Sequence, residues 1–65
     1  MTMIEKLKEL YNREINWRIE CFYDAGYTVF LGDDWNGYRS IAHADTLEEA
    51  IKILLEEAED IYGNC

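Results

Sequence analysis

The chain predicts an α+β fold of order α-β-β-β-α, a three-stranded antiparallel meander with two helices packed on one face. Three observations predict it. Both ends carry apolar residues at helical spacing behind a Thr-x-x-Glu start, Thr2 to Glu5 and Thr46 to Glu49. The middle alternates apolar and polar residues with period two. Two turns rich in Gly, Asp and Asn cut that middle into three. At 65 residues the chain is expected to form a single domain, residues 1–65.

The first helix follows from Met3, Ile4, Leu7, Leu10 and Tyr11, which form one stripe until the pattern fades between Asn12 and Asn16. In the first strand, Trp17, Ile19, Cys21 and Tyr23 share one face, and Arg18, Glu20 and Phe22 take the other. Cys21 is thereby expected in the core. Asp24-Ala25-Gly26 is a short hairpin connection with Gly26 available for positive φ. Tyr27 to Leu31 is the second strand, with Tyr27, Val29 and Leu31 on one side. The stretch from Gly32 to Gly37 is a polar turn ending in Asn36-Gly37, a strong hairpin signal. Tyr38 to Ala44 is the third strand. Its inner face stays open, because Ile41 and Ala42 argue for opposite registers. The last helix puts Leu47, Ala50, Ile51, Leu54, Leu55, Ala58, Ile61 and Tyr62 on one face, and Gly63 suits its end. With both stripes satisfied by one sheet, the chain is expected to be a monomer when unbound.

Composition narrows the function. There are 14 acidic and 6 basic residues, a net charge of −8. Proteins that bind nucleic acid directly neutralise phosphates with Lys and Arg, so direct binding is not expected, nor is binding to anionic membranes. No apolar run approaches the roughly 20 residues that span a bilayer. The N-terminal residues lack a secretory apolar stretch, so the expected compartment is the cytoplasm. Two cysteines, Cys21 and Cys65, make no disulfide framework. The single histidine, His43, has no Cys or acid near it at metal-ligand spacing and reads as a sheet-surface residue. Asp33, Asp34 and Asn36 lack the ligand alternation of a calcium loop. No glycine-rich phosphate loop is present. Enzyme activity, a cofactor and a metal are therefore not expected.

The acidity is concentrated. Residues 45–65 hold seven acids (Asp45, Glu48, Glu49, Glu56, Glu57, Glu59 and Asp60) against one base, Lys52. That segment carries −6 of the −8. Acids in the last turns of a helix oppose its dipole by about 0.3–1 kcal/mol each. A solubilising surface needs net charge but not that placement. At 100° per residue Ile53 falls outside the stripe, with Glu49, Glu56, Glu57 and Asp60 as its neighbours. That arrangement resembles a small interface centre with a charged rim. Asp33-Asp34-Trp35 has the same character, two acids beside a large aromatic. Trp35 has a second reading, folded back over the sheet edge. These eight residues are the candidate partner-binding site.

Two resemblances bear on function. Asp24 to Leu31, followed by Ala44-Asp-Thr-Leu-Glu-Glu-Ala-Ile51, resembles the strand-to-helix part of HicB-type antitoxins over roughly residues 17–62. The family's Pro-containing turn has no counterpart here, since the chain has no proline. Size, acidity and element order resemble small phage anti-CRISPR proteins, several of which imitate DNA and block a nuclease complex. The order also matches double-stranded-RNA-binding domains, but Glu48 and Glu49 stand where a basic cluster belongs. Both first resemblances imply an acidic protein occupying the basic nucleic-acid site of another protein. The expected function is thus a small acidic, non-enzymatic inhibitor of a nucleic-acid-handling complex, acting by nucleic-acid mimicry. Alternatives are an antitoxin against a basic ribonuclease and a homo-oligomeric assembly module.

Overall fold

A computed structural model describes residues 2–35 and 37–63. Helix α1 is Met3–Asn12. Its start is a complete capping box: Glu5 N donates to Thr2 Oγ1 at 3.2 Å, and Thr2 N donates to Glu5 Oε1 at 3.4 Å. Its end is a Schellman motif, with Ile15 N donating to Leu10 O and Glu14 N to Tyr11 O, both at 3.0 Å. Leu10 and Ile15, the two side chains that motif brings together, are both buried. Glu14 occupies the left-handed position at φ 60°, where glycine is usual.

This arrangement yields a direct expectation. A left-handed L-residue costs about 1–2 kcal/mol, and a carboxylate at a helix C-terminus opposes the dipole. Glu14→Gly removes both at some cost in unfolded-chain entropy, for a net gain of about 0.5–1 kcal/mol. Thermal unfolding should move up by several degrees in a chain of this size. An unchanged or lower midpoint would contradict the motif.

Strands β1 (Trp17–Phe22), β2 (Gly26–Asp33) and β3 (Gly37–Ala44) form one antiparallel sheet in that order. Helix α2 is Leu47–Tyr62. The expected element order and fold class are therefore present. Gly26 takes φ 85°, as its turn requires. Asn36 of the Asn-Gly signal lies outside the described residues.

The register settles the third strand. Ala44 faces Tyr27 and Ala42 faces Val29, so Ala42 and Ala44 share the inner side with Val29 and Leu31. Ile41 faces Phe30 and His43 faces Thr28, on the other side. A bulge between Leu31 and Gly32 places Tyr38 opposite Gly32 and leaves Arg39 opposite no β2 residue. Small residues sit inside because α2 lies close over β3, through the core that Ala50, Leu54 and Ala58 form with Leu10, Ile15, Val29, Leu31 and Ala44.

Several expectations need correction. The stripe of α1 is only partly covered: Leu10 joins the core beside Val29 and Leu31 and the helix packs against α2, while Met3, Ile4 and Tyr11 are left exposed. Cys21 is exposed and not in the core, because α2 lies over β2 and β3 and leaves this end of β1 bare. Tyr23 falls in the turn after β1 and is fully exposed. Leu47 and Ile61 project toward the core side but lie at the two ends of α2, beyond the sheet's cover, and are exposed. Ile15, in the loop after α1, belongs to the core although no periodicity marks it.

Candidate functional site

Helix α2 places the acidic residues. Thr46 Oγ1 accepts from Glu49 N at 3.1 Å, the first half of the expected capping box. The reciprocal bond from Thr46 N to the Glu49 carboxylate is not formed among the described residues. Glu49 is therefore exposed with its charge turned to solvent. Glu56 and Asp60 are exposed, and Glu57 is half-buried. Among the described residues, none of these four carboxylates has an ion-pair partner. At a rise of about 1.5 Å per residue, the array from Glu49 to Asp60 runs roughly 16 Å.

Ile53 differs from its expected role. It is half-buried and packs against the core. The arc that α2 buries against β2 and β3 is wider than its central stripe and takes in Ile53 at its edge. Ile53 is thus the apolar edge of the core, and the carboxylates of Glu49, Glu57 and Asp60 line that edge. Glu56 lies at the margin of this flank. It borders a groove of about 480 Å³ between the two helices, with Lys6, Arg13 and Lys52 on the same walls.

Arg13 changes the electrostatics of the whole helix. Its Nη1 donates to Gly63 O at 3.0 Å and its Nη2 to Tyr62 O at 3.1 Å. A guanidinium from the end of α1 therefore caps the C-terminus of α2, where no basic residue of α2 stands in the last turn. The acids near that end are partly offset from a distance of 50 positions in sequence. Their placement against the dipole is accordingly weaker evidence for function than the sequence suggests.

The second acidic cluster is a built turn. Asp33 Oδ2 accepts from Asn16 Nδ2 at 2.6 Å, and its Oδ1 accepts from Trp35 N at 2.9 Å. Asp34 Oδ1 accepts from the Tyr38 hydroxyl. That bond to a carboxylate, with some loss of hydration, raises the Tyr38 pKa above its ordinary value of 10.0. Both acids hold the hairpin in shape. Trp35 is 95% exposed, so it does not fold back over the sheet edge. Arg13 ties α1 to the end of α2, and Asn16 ties the start of β1 to Asp33. The turn and the C-terminal half of α2 consequently occupy the same end of the molecule, whereas Glu49 stands at the other.

His43 lies exposed on the outer sheet face, its Nδ1 3.2 Å from Thr28 Oγ1. Among the described residues, no three of His, Cys, Asp and Glu gather as a metal site would need. Among the described residues, no helix is long and apolar enough to cross a membrane. No family model, curated protein or solved structure matches the chain.

Proposed function

We propose that this chain is a non-enzymatic binding protein whose acidic α2 flank occupies the basic nucleic-acid site of another protein and so inhibits a nucleic-acid-handling complex. One observation carries the reading. Glu49, Glu57 and Asp60 form a carboxylate row along one helix flank with no ion-pair partner among the described residues, in a chain of net charge −8. Lysines and arginines that grip phosphates by charge attract a rigid row of carboxylates in the same way. The half-buried Ile53 beside that row holds its backbone against the core, so little ordering is required on binding. Trp35, held out by the Asp33 turn at the end where Asp60 lies, adds a large aromatic at the margin.

The test is a competition at several salt concentrations with a partner recovered by affinity capture. Exposed charges are screened over about 10 Å at 0.1 M salt. Association should weaken steeply as salt rises, and DNA or RNA of the partner's own substrate class should displace the protein. A partner that binds equally at low and high salt, alongside its nucleic acid, would overturn the proposal.

A further inference from the structure

Among the described residues, no layer covers the outer face of the sheet. Both helices belong to the Val29 and Leu31 side, since α2 supplies the core there and α1 packs on α2. The opposite side presents Phe22, which is 54% exposed, at one end, and Phe30, Tyr38 and Ile41, the last 57% exposed, toward the other, with Glu20, Thr28 and His43 in the rows between. Arg18 lies across this face. Its guanidinium carbon is 4.3 Å from the centre of the Phe30 ring and 5.6 Å from that of Tyr38, and its Nε is 3.6 Å from Glu20 Oε2. We propose that this face is the interface with a second copy of the chain, packed sheet against sheet about a two-fold axis.

Charge selects that occupant. Two chains of net charge −8 repel wherever their acids meet, and residues 45–65, α2 with its flanking turns, carry −6 of that charge. Glu20 is the acid that the strand alternation places on the outer face, and Arg18 balances it. Two copies can therefore approach here with their acidic helices turned away from each other. A two-fold interface must be self-complementary. The Arg18–Glu20 pair meets that condition, because a two-fold axis beside it sets Arg18 of one copy against Glu20 of the other. A single strand of nucleic acid suits the face less well. The net charge opposes it, and the Arg18 guanidinium already lies over the rings on which bases would stack.

Size sets the affinity. Three strands about 4.8 Å apart, six, eight and eight residues long at about 3.3 Å each, give a face on the order of 350 Å² in projection. Two such faces cover about 700 Å², below the roughly 1,000 Å² of a stable interface and in the range of weak, reversible ones. The dimer should accordingly form at micromolar rather than nanomolar concentration. Salt should strengthen it by screening the repulsion between the two acidic sides, opposite to its effect on the proposed partner. The inference stands independently of the α2 reading, and either can fail alone.

Sedimentation equilibrium in reductant, from about 1 μM to 1 mM, tests it, with circular dichroism to confirm folding. A reversible dimer is expected. Ile41→Glu and Phe22→Glu, both at exposed positions, should each leave a folded monomer, and Tyr11→Glu on the exposed flank of α1 should still dimerise. Chains carrying R18E or E20R should fail to pair alone and should pair when mixed. A monomer at every concentration would overturn the inference. So would a dimer that survives both sheet-face variants, or one that only Tyr11→Glu dissolves. Saturable binding of single-stranded oligonucleotide, abolished by Ile41→Glu, would assign the face to nucleic acid instead.

Discussion

Changing Glu49, Glu57 and Asp60 together to Lys is expected to abolish partner binding and leave the fold intact. The net charge moves from −8 to −2, and three attractive groups along one flank become repulsive ones. The fold has little reason to respond. Glu49 makes no return bond to Thr46, and the Thr46 cap uses the backbone of residue 49, which the change retains. Lys at 49, in the first turn, opposes the helix dipole, while Lys at 60, in the last turn, suits it, each by about 0.3–1 kcal/mol, so the terms nearly cancel. Glu57 is half-buried, but the methylenes of a lysine can follow the apolar surface and carry the ammonium to water. Glu56 is left alone because it borders the groove that holds Lys6 and Lys52. Binding should fall by at least a hundredfold, about 2.7 kcal/mol, in a titration against the captured partner. A variant with parental thermal unfolding that still binds would exclude the α2 flank and leave the Asp33-Asp34-Trp35 turn as the working surface.

Gly32→Ala is expected to unfold most of the protein. Gly32 takes φ 112°, a conformation that L-residues rarely adopt. A Cβ there would stand 2.7 Å from Gly37 O and 3.0 Å from Tyr38 Cα, both backbone atoms that cannot swing aside. Gly32 N also donates to Asn16 O at 2.8 Å, so any shift breaks the link between the α1–β1 loop and the hairpin. The backbone strain alone costs about 1–3 kcal/mol, and the clash adds to it. A chain of this length has only about 3–10 kcal/mol of stability in total. The far-ultraviolet circular dichroism should lose its cooperative melt at room temperature, and proteolysis should accelerate. A variant that melts within a few degrees of the parent would mean the bulge is not tightly specified.

The difference between these two positions shows where sequence is informative. The carboxylate row was visible as charge at helical spacing, since every exposed acid of α2 reports itself by its identity and period. Gly32 was visible only as a turn glycine. Its close approach to Gly37 and Tyr38 depends on the bulge, which is a property of how β2 and β3 pair. Ile53 was misplaced for a related reason. An ideal helical wheel assigns it to the polar side, but the width of the buried arc depends on what lies beneath the helix. Ile41 and Ala42 could not be told apart by pattern, because either register gives alternation. Packing chose Ala42, where the close approach of α2 leaves room for a small side chain, and sent Ile41 to the open face.

The sequence by itself determined the order of elements, both helix starts, the hairpin at Gly26 and the concentration of charge on α2. Each is a local property, set by capping chemistry, side-chain period or the φ that a turn demands. Tertiary structure alone decided three things. Arg13 caps the end of α2, α1 rests mainly on α2, and among the described residues the outer sheet face stays bare. All three join residues far apart in the chain, or depend on which of two faces a finite core can cover. A 65-residue chain has only enough apolar surface to cover one.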